Sequence, residues 1–287
     1  MSGEKSFRTL EYNTQQHTPL LANKICIITG STRGIGLEIA RLFLHHGARV
    51  VINSRNHSNV EITVSELSKE FDPRNVLGST ADVGMYSDCE RLANETVAHF
   101  GDVDILVNNA GISMVSPSIE LRKEDWDKTI GTDLSGAFYM SQIVAKHMIK
   151  KGGGSIINIS SILGEGGLPK RAAYCAAKHG LIGLTKVLGT EWARSGIRVN
   201  AISPGYIKTE MDTKDSAVGD YSESDIEGRT PMGRYGTSQE VAEVALFLAS
   251  PASAYITATN ITVDGGWTSY AGWDRLLAQL SDSNSKK

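Results

Sequence analysis

Seven short apolar runs, rich in β-branched residues, alternate with longer segments of helical period along most of this chain. The runs are continuously apolar, which is typical of strands that are buried on both faces of a parallel sheet. Such an alternation predicts an α/β fold, a doubly wound sheet with right-handed crossovers. The predicted strands are 24–29, 48–53, 75–81, 103–108, 155–160, 197–203 and 260–265.

The chain of 287 residues has no linker rich in Pro, Gly or Ser and no internal repeat. We therefore predict a single domain over 21–275, with a polar N-terminal extension at 1–20 and a flexible C-terminal tail at 276–287. The stretch 206–235, rich in Asp, Ser, Glu and Gly, interrupts the alternation. A long insertion of this kind is more often a lid than a structureless loop.

Several helix ends are marked by local signals. Gly101 follows a helical segment and is expected just after its last turn. Two stretches have the spacing of a capping box, in which a hydroxyl and a carboxylate bond the first backbone amides of a helix. They are Ser87-Asp-Cys-Glu90 and Thr237-Ser-Gln-Glu240.

Composition and charge argue against several classes of partner. The net charge is −3 with no basic block, which disfavours nucleic acid and anionic membranes. No apolar run approaches the ~20 residues that a membrane span needs, and the histidines lack zinc-ligand spacing, so we expect no metal. Cys26, Cys89 and Cys175 are odd in number and lie in apolar runs, which favours reduced thiols and a cytoplasmic location.

The first strand leads into "TGSTRGIG" (29–36), which opens a helical segment. Gly30 permits a tight turn, Gly34 lets the backbone approach a pyrophosphate, and Gly36 allows close packing of helix on strand. The helix N-terminus adds amides and a partial positive charge. In this βαβ context the motif predicts a Rossmann-type dinucleotide site. The cofactor-binding candidates in the loop are Gly30, Ser31, Arg33, Gly34, Ile35 and Gly36.

The end of the second strand indicates which dinucleotide binds. A cofactor without a 2′-phosphate favours Asp or Glu there, whereas this chain has Ser54 and Arg55. A carboxylate would repel the phosphate and a guanidinium would bind it, and Arg33 could supply a second guanidinium. We predict NADP(H); the alternative is that both arginines are solvated surface residues.

Two further stretches follow predicted strands at the carboxyl edge of the sheet, where ligands of open α/β folds bind. Asp82 and Val83, after the third strand, are candidates for the adenine edge. The "NNAG" turn (108–111), after the fourth, supplies Asn109, Ala110 and Gly111.

Residues 174–178 read "YCAAK", which places Tyr174 and Lys178 one helical turn apart on the same face. By itself this spacing is often incidental. In this chain it follows "TGSTRGIG", "NNAG" and "NISS", and it precedes "RVNAISPGYIKT" and "VDGGW". In this order, over about 20–270, these blocks resemble the short-chain dehydrogenase/reductase superfamily.

The resemblance implies hydride transfer between a ketone and a secondary alcohol, a small-molecule substrate, with Tyr174 as general acid or base. A free phenol has a pKa of ~10, and a nearby cation favours the phenolate. Lys178 would be that cation and would also bind the nicotinamide ribose. The family places a serine 12 to 14 residues before the tyrosine. Ser161 matches better than Ser160, which we expect to have a structural role.

The resemblance also assigns the nicotinamide end of the site. Pro204, Gly205, Ile207 and Thr209 would contact that end of the cofactor. The lid would close over the substrate and exclude water. Met211, Tyr206 and Tyr221 are candidates to line it, although each could equally be a surface residue.

One catalytic position departs from the family pattern. In "TDLSG", Asp133 stands where the family has an asparagine that holds a water linked to the lysine. Its backbone carbonyl could keep this role, while its carboxylate could attract Lys178 and alter activity. The alternative is a tolerated substitution with little effect.

Three functions remain open at this stage. The "TPMGRYGTSQEVA" to "VDGGW" region is similar to sugar and gluconate dehydrogenases, which favours a sugar, polyol or sugar acid. A 3-oxoacyl-thioester reductase is a second possibility, and a non-catalytic dinucleotide-binding sensor is a third. Family members of this size are usually tetramers, so we expect a homotetramer that uses a long helix over about 171–195 and the apolar segment 265–273.

Overall fold

A seven-stranded parallel sheet forms the centre of the molecule, with strand order β3-β2-β1-β4-β5-β6-β7. The computed structural model describes residues 19–210 and 221–272. All seven predicted strands are present, and the α/β doubly wound fold is confirmed. The strands are β1 (Ile25–Ile28), β2 (Arg49–Ser54), β3 (Val76–Thr80), β4 (Ile105–Asn108), β5 (Gly154–Ile159), β6 (Ile197–Pro204) and β7 (Asn260–Val263).

Helices cover both faces of this sheet. They are α1 (Gly34–His45), α2 (His57–Glu70), α3 (Tyr86–Phe100), α4 (Lys123–Ile130), α5 (Gly136–Lys151), α6 (Ala172–Glu191), α7 (Glu223–Arg229) and α8 (Ser238–Ala249). Apolar residues of α1, α2 and α8 form one core with the sheet, and those of α3, α5 and α6 form the other. In β1, Ile28 faces the first core and Ile27 the second, which explains why the strands are apolar without alternation.

The helix-end predictions are confirmed at two positions and wrong at one. Thr237 and Glu240 form the expected capping box of α8, and Gly101 ends α3 with φ 99°. The predicted box at Ser87 is wrong because α3 begins at Tyr86, so Ser87 already lies inside the helix. Asp88 instead accepts a bond from the Asp82 backbone N–H at 2.8 Å, and a carboxylate near a helix N-terminus is favourable.

The predicted long helix is shorter than its expected range of about 171–195. Helix α6 ends at Glu191, and a 3₁₀ turn (Ala193–Ser195) follows it. Gly196 then leads the chain into β6 with φ 77°.

The two ends of the predicted lid are hydrogen-bonded to each other. The Lys208 N–H donates to the Gly236 carbonyl at 3.1 Å, and the Gly236 N–H donates to the Tyr206 carbonyl at 2.9 Å. Between these ends the described part contains α7, which starts with a capping box of Ser222 and Asp225. Met211, most of the extension (1–20) and the tail (276–287) lie outside the described residues, so the domain limits stay predictions.

Two kinds of feature are absent from residues 19–210 and 221–272. No helix there is long and apolar enough to cross a membrane. Within the same ranges, no three His, Cys, Asp or Glu side chains are grouped in a way that could hold a metal ion.

Candidate active site

A cleft of about 490 Å³ runs along the carboxyl ends of the strands, a volume typical of small-molecule sites. It brings together most of the residues that the sequence singled out, from segments far apart in the chain. Ser31, Gly36 and Asp133 do not line it. The predicted residues that do are Gly30, Arg33, Gly34, Ile35, Ser54, Arg55, Asp82, Val83, Asn109, Ala110, Gly111, Ser161, Tyr174, Lys178, Pro204, Gly205, Ile207 and Thr209.

The glycine loop has the tight geometry that its sequence predicts. Gly30 has φ +63°, and a Cβ there would lie 2.9 Å from the Ala110 Cα. A Cβ on Gly36 would lie 2.4 Å from the Asn109 side-chain nitrogen. Gly36 therefore allows α1 to pack closely against the loop. It does not line the cleft, because the Asn109 side chain fills the space beside it.

Ser31 also supports the loop from behind and does not reach the cleft. It is fully buried, and its hydroxyl donates to the Ile28 carbonyl at 2.7 Å and accepts from the Asn53 backbone N–H at 2.9 Å. The Asn53 side chain accepts from the Gly30 N–H at 3.3 Å and donates to two carbonyls at and beyond the end of β3. Our sequence analysis missed Asn53; its signal was an amide within an otherwise apolar strand.

At the end of the cleft beside the glycine loop, α1 begins just after Arg33 and has no acidic residue in its first turn. Its N-terminal amides can therefore face an anion. Arg33 is exposed and pairs with Glu210 at 3.2 Å. Arg55 is exposed at the end of β2, beside Asn56 and Asn59 at the start of α2. Our sequence analysis did not predict these two asparagines. Asn56 caps α2 by accepting the Asn59 N–H at 3.1 Å.

Tyr174 and Lys178 lie together at the other half of the cleft, on the first two turns of α6. The Lys178 Nζ is 5.4 Å from the centroid of the Tyr174 ring. Lys178 is 4% exposed and donates to the Ile159 carbonyl at 2.9 Å. The ammonium is thus fixed next to the phenol by the end of β5.

The two candidate serines use their hydroxyl groups differently. Ser160 donates its hydroxyl hydrogen to the Lys178 carbonyl at 3.1 Å. Ser161 accepts the Leu163 N–H at 3.1 Å, so its own hydroxyl hydrogen is not needed for that bond. Both line the cleft, but only Ser161 combines that position with a donor that a ligand can use.

Asp133 is buried directly behind Gly111, in a π-helical turn (Gly131–Ser135) between α4 and α5. One carboxylate oxygen accepts the Ile112 N–H at 2.8 Å, and the other lies 3.5 Å from the Lys178 Nζ. Burial raises the pKa of the Asp133 carboxyl, and the Lys178 ammonium opposes this in part. Asp133 thus contacts Lys178 and the turn at Gly111 and Ile112 and does not itself line the cleft.

The half of the cleft around Tyr174 includes residues that our sequence analysis missed, among them Ser113, Leu163, Leu168 and Arg171. They lie on the loops after β4 and before α6, and no local pattern marks their proximity. Tyr206 and Tyr221 also line the cleft. The Tyr206 ring packs against Tyr221, Tyr235 and Trp267, with centroids 5.8, 6.4 and 4.7 Å apart.

A doubly wound sheet that carries a glycine loop at one end of its cleft and a serine, tyrosine and lysine at the other defines an oxidoreductase that acts on CH–OH groups. Comparison with known proteins agrees with this class. Residues 30–268 match the sequence family adh_short_C2, described as enoyl-(acyl carrier protein) reductase. The chain belongs to the short-chain dehydrogenase/reductase family.

Individual relatives differ in the substrates that their names give. The D-threitol dehydrogenase of Mycolicibacterium smegmatis is 38% identical over 250 residues, 86% of this chain and 94% of that protein. The 3-oxoacyl-acyl-carrier-protein reductase of Thermotoga maritima is 39% identical over 246 residues, 86% of this chain and 98% of its own. The crystal structure of a gluconate 5-dehydrogenase from Burkholderia cenocepacia, in complex with NADP and tartrate, superposes with a TM-score of 0.82 at 37% identity, covering 88% of this chain and 98% of that chain.

Proposed function

We propose that this protein uses NADP(H) to interconvert a ketone and a secondary alcohol, and that its substrate is a sugar, a polyol or a sugar acid. The observation that carries the proposal is the cluster of Ser161, Tyr174 and Lys178 in the same cleft as the glycine loop. The substrate class is supported by relatives named for threitol and gluconate.

Each residue of the cluster has one chemical task in this proposal. Tyr174 donates its phenolic proton to the ketone oxygen in reduction and accepts it back in oxidation. Ser161 donates a hydrogen bond to the same oxygen. Lys178, fixed 5.4 Å from the phenol ring, favours the phenolate. A bound nicotinamide dinucleotide supplies or accepts the hydride.

The cofactor half of the cleft fits a phosphorylated dinucleotide. Gly34 has φ +56° and a Cβ there would approach only Thr209, at 3.7 Å or beyond, so the backbone is open to a pyrophosphate. Ser54 ends β2 and Arg55 follows it, at the position where a carboxylate would bind a ribose hydroxyl. With Arg33 across the loop, two guanidinium groups can bind a 2′-phosphate.

Arg55→Ala should raise the Kd of NADPH on the order of 10- to 100-fold, because a charge-assisted bond to phosphate is worth roughly 1.5–3 kcal/mol. The Kd of NADH should change no more than about twofold, because NADH lacks that phosphate. Fluorescence titration of the two cofactors measures both values. Arg74→Ala, an exposed arginine outside the cleft, is the matched control. An equal loss for NADPH and NADH would contradict the assignment.

A 3-oxoacyl-thioester reductase is the second candidate, supported by the acyl-carrier-protein reductases among the relatives. A panel of ketoses, keto acids and acetoacetyl thioesters, followed through NADPH and NADH absorbance at 340 nm, separates the two candidates. Turnover with thioesters alone would favour the second. Tight NADPH binding without turnover on any compound would favour the non-catalytic sensor.

We further propose that the protein is cytoplasmic and assembles as a homotetramer. Large apolar side chains on helix surfaces support an assembly: Val187 on α6 is 56% exposed, and Ile149 on α5 is 47% exposed. Cys26 and Cys89 are buried free thiols, and unpaired buried cysteines favour a reducing compartment. Light scattering during size-exclusion chromatography should give four times the chain mass of 30.9 kDa, and a monomer mass would rule out the assembly.

A further inference from the structure

The Lys178 ammonium lies between the phenol of Tyr174 and a second ionisable group. Its Nζ is 5.4 Å from the centroid of the Tyr174 ring and 3.5 Å from a carboxylate oxygen of Asp133. Lys178 is 4% exposed and Asp133 is 1% exposed. Charges act strongly on each other where water is excluded. A carboxylate at this place therefore weakens the attraction of the ammonium for a phenolate.

The Asp133 carboxylate is held in one orientation. One oxygen accepts the Ile112 N–H at 2.8 Å. The other is not hydrogen-bonded among the described residues, and a Cβ on Gly111 would lie 2.9 Å from it. Buried charges are stable only when they are paired. The Lys178 ammonium balances this second oxygen, so the two side chains form a charge pair.

Lys178 is also fixed by bonds that do not involve Asp133. Its ammonium donates to the Ile159 carbonyl at 2.9 Å, at the end of β5. Its backbone carbonyl accepts the Ser160 hydroxyl at 3.1 Å. Removal of the Asp133 charge should therefore leave the ammonium beside Tyr174 and change only the charge around it.

The π-helical turn of Asp133 packs against α4, α5 and α6. The first charged residue of α5 is Lys146, which is exposed. Arg171, just before α6, is buried, and its guanidinium donates to the Ser113 hydroxyl. The charged side chains of α4 are exposed or half-buried, and they are Lys123, Glu124, Asp125, Asp127 and Lys128. Burial raises the pKa of the Asp133 carboxyl, and it is the Lys178 ammonium that opposes this rise.

We infer that the Asp133 carboxylate partly neutralises Lys178 and thereby keeps Tyr174 protonated to a higher pH than a neutral side chain at this place would. The inference rests on the proposed function, because it concerns the pH at which Tyr174 exchanges its proton with the substrate. Reduction needs the protonated phenol and oxidation needs the phenolate. Asp133 therefore extends ketone reduction to higher pH and restricts alcohol oxidation to alkaline pH. It acts through Lys178, as a positioning residue.

Asp133→Asn tests the inference, because asparagine keeps an oxygen for the Ile112 N–H and loses the charge. The measurement is the pH profile of kcat/KM for NADP⁺-dependent oxidation of D-gluconate or D-threitol, whichever the wild type oxidises faster. The wild-type profile should be half-maximal near pH ~9, because a free phenol titrates at ~10 and a paired lysine lowers this only in part. In Asp133→Asn this midpoint should fall by about one pH unit, and the values below it should rise up to about 10-fold.

The matched control is Asp127→Asn, which removes an exposed carboxylate that pairs with Lys123 on α4. Its midpoint should stay within ~0.2 pH unit of the wild type, because exposed charges are screened by solvent.

Three results would overturn the inference. A midpoint that does not move, or that moves to higher pH, in Asp133→Asn would show that no negative charge of Asp133 acts on Tyr174. A fall in kcat/KM at every pH with the same midpoint would show that Asp133 only supports the fold around Lys178. A wild-type midpoint at or below pH ~8 would exclude the neutralisation even if the variant does not fold.

Failure of the proposed function can be recognised separately, because the ultraviolet absorbance of tyrosinate reports ionisation without turnover. A pH titration of the NADP⁺ complex, minus the same titration of Tyr174→Phe, gives the ionisation of Tyr174. If no alcohol is oxidised but this ionisation moves to lower pH in Asp133→Asn, the proposed function fails and the role of Asp133 stands. If oxidation depends on Tyr174 and the midpoint does not move, the function stands and the role of Asp133 fails.

Discussion

Tyr174→Phe should lower kcat for ketone reduction by at least ~10³-fold, because general acid catalysis contributes about 10²–10⁴ and Tyr174 is also the partner that Lys178 activates. The substitution removes one oxygen and keeps the ring whose centroid lies 5.4 Å from the Lys178 Nζ. The Kd of NADPH, from fluorescence titration, should change no more than about threefold. Absorbance at 340 nm measures the loss of turnover.

The two neighbouring serines provide a matched comparison for this experiment. Ser161→Ala should lower kcat on the order of 10²-fold, the usual effect of removing one donor to a developing oxyanion. Ser160→Ala removes the bond to the Lys178 carbonyl and should mainly lower stability, by about 1 kcal/mol. If Ser160→Ala reduced kcat more than Ser161→Ala, the donor would have been assigned to the wrong serine. Wild-type turnover by Tyr174→Phe would remove the tyrosine from the mechanism.

Lys178→Met should abolish turnover and also destabilise the fold by about 3–5 kcal/mol at neutral pH, because breaking a buried ion pair leaves its partner charge without compensation. That partner is Asp133, 1% exposed, whose carboxylate oxygen lies 3.5 Å from the Lys178 Nζ. Urea denaturation of the purified variant measures the free energy of unfolding. A decrease in the free energy of unfolding of less than ~1 kcal/mol would show that the Asp133 and Lys178 charges do not stabilise each other.

The destabilisation caused by Lys178→Met should depend on pH, because the Asp133 carboxyl titrates. Burial raises its pKa above the ordinary value of 3.8. Its contribution to stability is therefore fully present below pH 3.8 and is lost as pH rises through the pKa of the folded protein. Without Lys178 that pKa rises further, so the destabilisation in Lys178→Met should grow between acid and neutral pH.

Asp133→Asn, combined with Lys178→Met, should restore much of the stability and remove the added pH dependence. Asparagine keeps an oxygen that can accept the Ile112 N–H and carries no charge. A double variant as unstable as Lys178→Met alone would show that Asp133 is not the source of the loss.

The sequence alone was sufficient to predict those features that depend on a local pattern of residues. The apolar runs marked every strand because a buried parallel strand is apolar on both faces. The glycine spacing marked the loop after β1 because only glycine permits its turn and packing at Gly30 and Gly36. Tyr174 and Lys178 were found from their spacing and from the order of the motifs around them.

Other features depend on contacts between distant segments and left no local signal. Ser87 matched a capping box, yet the turn ending at Met85 starts α3 two residues earlier. Ser31 lies in the glycine motif, but its hydroxyl is committed to neighbouring strands. In the sequence Arg171 has no distinguishing pattern. In the structure the loop after β4 places the Ser113 hydroxyl in contact with its guanidinium. Such roles are set by tertiary packing.

The pairing of β1 with β4 has a consequence for the order in which the chain folds. The Asn109 side chain donates to the carbonyls of Thr29 and Gly30, across 80 and 79 residues of sequence. Contacts between residues this far apart in the sequence stabilise the fold only after the entropy cost of closing the intervening loop has been overcome. We therefore expect that a nascent chain ending before β4 contains the complete glycine motif but lacks the contacts that Asn109 makes with its loop.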